Sequence, residues 1–186
     1  MAIPLPKAFK FCPRCGEAIQ PAGKNPLRCL ACKFTYYFGP VSAVVGIVVN
    51  RKGEVLFLER ARDPGRGRLG LPGGFIDAGE SAEAALAREI REEVNLSLKR
   101  ADYLTSFANS YLYEGVEIPV TDMIYVARVE SYKPLEIDPG EIAAATFLAP
   151  GPEQLDSMAF PSNRRGLETY LEQRLRRRRP AKQAAS

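Results

Sequence analysis

The stretch Gly74 to Leu96, GFIDAGESAEAALAREIREEVNL, constrains this chain more than any other. At 3.6 residues per turn, positions i, i+3 and i+4 share a helix face. Glu89, Glu92 and Glu93 therefore gather beside Arg88 into one acidic cluster. Like charges so placed weaken an isolated helix. Two outcomes relieve them: solvation, the fate of most charged helical faces, or a hard divalent cation such as Mg²⁺ or Mn²⁺. Ala82, Ala85, Leu86, Ile90 and Val94 recur at three- and four-residue intervals, an apolar stripe that must pack against a sheet. The acidic face is offset from that stripe, so it can look into a cleft.

The segment before the helix favours the cation. Leu71-Pro72-Gly73-Gly74-Phe75 follows a strand-like stretch and precedes the acidic loop Ile76 to Glu80. Paired glycines permit backbone geometry closed to other residues and close approach of a neighbour. Ser81 is the expected N-cap, with Glu83 in the first turn where the helix dipole favours an acid.

These residues resemble the Nudix box of Nudix hydrolases. Gly74, Glu80, Arg88, Glu89, Ile90, Glu92, Glu93 and Leu96 fall at its spacings. Asn95 stands where the family has glycine, and asparagine is the next most tolerant type for a left-handed residue closing a helix. The resemblance implies an α/β fold, an α/β/α sandwich with a mixed sheet. It also implies metal-dependent hydrolysis of a phosphoanhydride in a nucleoside diphosphate linked to another group. Glu89, Glu92 and Glu93 would ligate Mg²⁺ or Mn²⁺, Arg88 would orient the glutamates, and Glu80 would support the loop and helix. Glu141, before a late strand, matches the place where some members carry a further metal ligand or base.

Composition narrows the chemistry independently. The chain has no histidine, which excludes Ser-His-Asp and Cys-His mechanisms and His-ligated zinc. Base work must fall to a carboxylate, lysine, tyrosine or metal-bound hydroxide.

All four cysteines lie near the N-terminus, as Cys12-Pro13-Arg14-Cys15 and Cys29-Leu30-Ala31-Cys32. Paired CxxC knuckles at this spacing suit a tetrahedral structural Zn²⁺. A disulfide framework is the alternative, but Met1 to Lys10 lacks the apolar core of a secretory signal, and the expected location is cytoplasmic. So small a module buries little core, and the metal would supply most of its folding free energy.

The expected organisation is a zinc ribbon over residues 1–38, a hydrolase domain over 39–173 and a disordered basic tail over 174–186. Val41 to Val49 is the longest apolar run, too short to span a bilayer, and reads as a buried strand. A hairpin is expected from Val44 to Glu59, further strands over Tyr103 to Tyr113, Thr121 to Val129 and Ile142 to Leu148, and a closing helix from Ser162 as cap. The closing helix should turn Leu167, Tyr170, Leu171 and Leu175 inward. The tail carries six of the positive charges in a chain of net charge +4 and could give weak contact with nucleic acid.

Substrate residues are less constrained. Arg62, Arg66 and Arg68 are loop cations able to meet phosphate oxygens, or simply solvated. Tyr111 and Tyr113 share one strand face and could stack on a base or serve the core. Gly73 and Gly74 would bring backbone to the substrate. Ribbon-bearing NADH pyrophosphatases carry a proline- and tryptophan-containing signature downstream of the box. Ser106 to Gly115 lacks both residues, so ADP-ribose or a related dinucleotide is the expected substrate class. The family resemblance suggests a homodimer. The competing readings are a non-catalytic nucleotide sensor of the same fold and a nucleic-acid-binding zinc module.

Overall fold

The computed structural model describes residues 2–178. In chain order its elements are β1 (Ile3–Pro4), α1 (Leu5–Ala8), β2 (Leu27–Arg28), β3 (Thr35–Tyr36), β4 (Val41–Val48), β5 (Val55–Arg60), β6 (Leu69–Gly70), α2 (Ala82–Val94), β7 (Leu98–Tyr113), β8 (Val116–Val129), β9 (Ile142–Leu148), α3 (Pro152–Asp156) and α4 (Pro161–Arg178). They form two compact units. One runs through Val41 and adds Ala108–Thr121; the other takes Ser42–Phe107 and the chain from Asp122 onward.

In the first unit, β2 and β3 pair antiparallel, and β1 lies parallel to the start of β8. Its small core consists of Cys12, Ile19, Leu27, Cys29 and Phe38. Phe38 is fixed by Asn25, whose side chain donates to its carbonyl at 2.9 Å and accepts from its N–H at 3.0 Å.

In the second unit, β4 lies beside β8, and a second sheet runs β6-β5-β9 with antiparallel pairings. Alternate residues of a strand point to opposite faces, and here both faces are buried. Val44 and Val48 of β4, with Leu56 and Leu58 of β5, pack against Ala85, Leu86, Ile90 and Val94 of α2. Val45, Ile47, Val55 and Phe57 face the other way, with Ile124 and Leu167 of α4. Sheet between two helical layers is the mixed α/β fold expected. Gly46 lets α2 sit close to β4, since a Cβ there would lie 2.9 Å from Leu86 Cδ1. No helix among the described residues is long and apolar enough to cross a membrane.

Three local expectations are corrected. Val44–Val49 and Val55–Glu59 do not form a hairpin ladder; a single bridge joins Val49 to Val55. The far edge of β4 is taken instead by residues 72–76, through Val44 N–H to Gly74 O at 2.9 Å and Gly46 N–H to Pro72 O at 2.7 Å. The closing helix begins at Pro161, where a missing N–H costs nothing, so Ser162 does not cap it. The Ser162 hydroxyl donates instead to the buried Asp122 carboxylate. Leu175 is 63% exposed and not inward. The basic stretch starts inside α4, which continues to Arg178, and the rest of it, 179–186, lies outside the described residues.

Candidate active site

The sheet-bound segment 72–76 sets the geometry of the acidic helix. Gly73 has φ +147°, and a Cβ there would lie 2.0 Å from Val44 O. Only glycine fits against the β4 backbone at this point. At Gly74 a Cβ would lie 2.4 Å from Glu89 Oε1, so this glycine admits a carboxylate against the loop. Helix α2 is held at both ends. Ser81 Oγ accepts from the Ala84 N–H at 3.2 Å. Asn95 closes it in the left-handed conformation at φ 52°, its N–H returning to Arg91 O.

Arg88 is the hub of the acidic face. Its Nε and one terminal nitrogen each reach a different oxygen of Glu80 at 3.1 Å. The other terminal nitrogen donates to Glu89 at 2.9 Å and to Glu92 at 3.0 Å. A further bond of 3.0 Å goes to the Phe75 carbonyl, which ties the helix back to the glycine segment. The planar fork of arginine suits bidentate capture of a carboxylate. The Arg88 guanidinium holds Glu80 below the usual carboxylate range.

Glu93 departs from the solvated pattern. It sits on the packed side of the helix, only 8% exposed, and accepts the Gly73 N–H at 3.0 Å. Burial pushes its carboxyl up to about 8. The Gly73 amide and the charge of Arg60 oppose the shift, whereas the charges of Glu89 and Glu141 reinforce it. Glu89 is raised too, first by burial and then by Glu92 and Glu141, against the pull of Arg88. Glu141 thus shares the electrostatic environment of Glu89 and Glu93 although it lies far along the chain from both. Its backbone accepts from the Ala61 N–H at 2.8 Å, just past the register slip at Glu59/Arg60 where β5 leaves β9.

The donor chemistry suits a hard divalent cation. Carboxylate oxygens are the ligands such ions take, and an excess of acids over Arg88 and Arg60 leaves negative charge uncompensated. Here Glu89 and Glu92 are drawn onto Arg88, and Glu93 onto the Gly73 amide. Among the described residues, the four cysteines are the group whose donor atoms all lie within 4.8 Å of one another.

The other expected residues fall in several places. Arg62 is ion-paired with Glu141. Arg68 donates to Asp156 O at 3.1 Å, at the end of α3. Arg66 is exposed, and its backbone N–H reaches Asp63. Tyr111 is half-buried and Tyr113 is exposed; both belong to the unit with the cysteines, not to the one carrying the glutamates. Sequence reasoning missed Arg60, whose guanidinium lies 5.0 Å from the Phe160 ring centroid and whose charge acts on Glu93. Its only signal was its place at the end of a strand leading into the arginine-rich loop.

Within the first unit, Cys12 Sγ lies 3.7 Å from Cys32 Sγ and Cys15 Sγ lies 3.7 Å from Cys29 Sγ. Zn–S bonds of about 2.3 Å in a tetrahedron give sulfur–sulfur edges of roughly 3.8 Å, so the four thiols match the expected structural zinc. Each knuckle closes through a left-handed residue, Gly16 at φ 77° and Lys33 at φ 61°. Their N–H groups return to Cys12 O at 2.9 Å and Cys29 O at 3.1 Å. Burial raises Cys12, yet the Arg14 and Cys15 amides bring it down to about 7. The Glu17 amide favours the Cys15 thiolate, but the surrounding sulfurs outweigh it and push that thiol up to about 12. Four close thiols cannot all ionise without a cation.

Comparison with known proteins agrees with this geometry. A family model described as NUDIX domain matches residues 39–169. The ADP-ribose pyrophosphatase of Methanocaldococcus jannaschii is 41% identical over 64 residues, 34% of this chain and 37% of that protein. The NAD-capped RNA hydrolase NudC of Haemophilus influenzae strain PittGG is 34% identical over 141 residues, 68% of this chain and 53% of the relative. The chain therefore spans about half the length, or less, of these curated relatives. A crystal structure of a NUDIX hydrolase from Nitrosomonas europaea matches with a TM-score of 0.65 at 24% identity, over 94% of this chain and 97% of that one. At that identity the likeness concerns the fold.

Proposed function

The chain belongs to the Nudix hydrolase family, and we propose that it cuts the diphosphate of ADP-ribose or a related dinucleotide with the help of Mg²⁺ or Mn²⁺. Water and a phosphoanhydride would give two phosphomonoesters, AMP and ribose 5-phosphate in the case of ADP-ribose. The observation that carries this reading is the Arg88 hub, which ties Glu80, Glu89 and Glu92 to the glycine segment while Glu93 lies buried on the Gly73 amide. A solvated charged face needs no such enclosure.

Glu89, Glu92 and Glu93 are the residues assigned to hold the cation, with Glu141 as a further ligand or base. When bound, a divalent cation neutralises charge at the phosphate oxygens and lowers the pKa of its water towards neutrality. Arg88 and Glu80 act by positioning: they fix helix against loop and touch no substrate. The Gly73–Gly74 backbone, Arg62, Arg66 and Arg68 are assigned to the diphosphate. Arg62 would exchange Glu141 for phosphate. Zn²⁺ on the four cysteines is assigned a structural role within a ribbon over residues 1–38, ahead of a hydrolase domain over 39–173. Free thiols suit a reducing compartment such as the cytoplasm.

A second reading, hydrolysis at the dinucleotide end of a capped RNA, is favoured by the similarity to the NudC relative across 68% of this chain. One experiment separates these from a non-catalytic sensor. ADP-ribose, NADH, FAD, diadenosine polyphosphates, nucleoside triphosphates and capped RNA are incubated with Mg²⁺ or Mn²⁺, and products are identified by mass. The proposal expects ADP-ribose or a dinucleotide to turn over fastest, with loss in Glu92→Gln and Glu93→Gln. Tight ADP-ribose binding without turnover would establish the sensor. Sedimentation of the same sample tests the homodimer.

A further inference from the structure

A cleft of about 480 Å³ lies between the β4–β5 turn and α4. Arg51 and Lys52 project from the turn, Arg128 from β8 and Arg174 from α4, and Tyr132 and Tyr170 complete the wall. Among the described residues, none of these four cations has a carboxylate within 4.0 Å. Two of them are instead anchored by backbone carbonyls. Arg128 donates to Val49 O at 2.7 Å and Arg174 to Gly53 O at 2.8 Å. A guanidinium has five N–H groups, so one such bond fixes its position and leaves most of the fork available. Gly53 is part of the arrangement, since a Cβ there would lie 2.2 Å from an Arg174 terminal nitrogen.

The cleft is not the glutamate site. Val55 and Arg60 end the same strand, five residues or about 17 Å apart; Val55 adjoins the turn, and Arg60 acts on Glu93. The lining holds four cations and no acid, although Glu54 is bonded to Asn50 in the same turn. The cations repel one another, and an anion with several charges relieves that repulsion. The volume falls within the ordinary range of small-molecule sites. Fixed arginine forks suit phosphate oxygens better than a single carboxylate, and the half-buried Tyr132 and Tyr170 add aromatic surface to the same wall.

We propose that this cleft is a second, non-hydrolytic site that binds the di- or triphosphate of a nucleotide, with the base against the tyrosines. The proposal is independent of the reaction at the glutamates, and its test avoids that reaction. The whole chain, zinc-loaded, is titrated with ADP, ATP and inorganic tripolyphosphate in buffer passed over a chelating resin beforehand so that it is free of Mg²⁺ and Mn²⁺. Heat of binding and amide NMR shifts are recorded. Saturable binding is expected, with shifts at residues 49–53, 128–132 and 170–174. Arg128→Gln with Arg174→Gln should weaken it at least tenfold, whereas Glu92→Gln should leave it unchanged. Arg51→Gln with Lys52→Gln, confined to an exposed turn, repeats the test should the first pair disturb folding. ATP binding more tightly than inorganic tripolyphosphate supports the tyrosine contact. No saturable binding, binding indifferent to both pairs, or binding by long oligonucleotides alone overturns the proposal.

Discussion

Arg88 and Glu80 are joined by two parallel hydrogen bonds of 3.1 Å, one to each carboxylate oxygen. Lysine offers a point charge and no fork. Arg88→Lys should therefore keep the fold and lower kcat by roughly 10–100-fold, as loss of an orienting partner does at other metal sites. KM should change little, because Arg88 reaches only carboxylates and the Phe75 carbonyl in this structure. A large rise in KM with kcat intact would place Arg88 on the substrate instead.

The same pair sets a pH dependence. Arg88 holds Glu80 below its ordinary value. The folded state then binds fewer protons than the unfolded one as pH falls, so the stabilisation is present at neutral pH and fades below about pH 4.5. Glu80→Gln should lower Tm at pH 7, and the gap from the native protein should close as the pH drops below 4. Thermal melts at pH 7, 5 and 3.5 decide it; a gap that stays constant removes ionisation from the explanation.

Glu93 has the opposite sign. Its carboxyl is raised to about 8, chiefly by burial, so between about pH 4.5 and 8 the metal-free folded state holds a proton that the unfolded chain has released. Stability from this group is complete below pH 4.5 and is lost as pH rises through 8. Glu93→Gln keeps an acceptor for the Gly73 N–H and removes the titration. Without metal it should melt several degrees higher than the native protein at pH 8.5, and within about 1 °C of it at pH 4.5. Hydrolysis should nonetheless fall on the order of a hundredfold or more. Equal melting at both pH values would show that the side chain finds water on ionising.

Gly73 and Gly74 separate folding from chemistry. At Gly73 an alanine Cβ meets the β4 backbone at 2.0 Å with φ +147°. Gly73→Ala should thus cost about 3 kcal/mol or more of stability. At Gly74 the obstacle is Glu89 Oε1 at 2.4 Å, the mobile end of a side chain. Gly74→Ala should leave Tm within a few degrees and displace Glu89, reducing kcat. Comparable Tm losses in both variants would contradict this division.

The contrast shows what the sequence made legible. Spacing and residue type located the helix, its cap at Ser81 and the grouping of Arg88 with its glutamates, because these are local and periodic. The left-handed Asn95 was implied by the resemblance to the Nudix box, where glycine takes that place. Glu93 read as one more member of the acidic cluster, equivalent to Glu89 and Glu92. Its burial depends on segment 72–76 lying along β4, a pairing hundreds of atoms away in the chain. The expected hairpin failed for the same reason: the edge of β4 was already taken by a segment with no strand periodicity. Arg62 read as a free loop cation, and only the tertiary fold brings Glu141 to it. The four cysteines were fully legible, since tetrahedral coordination needs only residue type and short spacing.

That cysteine cluster carries the last prediction. Four sulfurs within 4.8 Å of one another, two pairs of them at 3.7 Å, with one thiol pushed up to about 12 and another down to about 7, describe a site that is under strain of charge until a cation enters. The core beneath them holds only five buried residues, two of them cysteines themselves. Apolar burial of that size does not fold a module alone. Stripping zinc should therefore unfold the region through Val41 while the sheet around Ile47, Leu56 and Phe57 persists. Hydrogen exchange followed by mass spectrometry reads this by peptide: protection is expected to vanish over residues 9–38 and to survive over 42–60. Elemental analysis should return one zinc per chain, and none in a Cys12→Ser, Cys29→Ser variant. Cysteines that stay protected after metal removal would mean that the aromatic stack of Phe9, Tyr36 and Phe38 is sufficient to hold the module together.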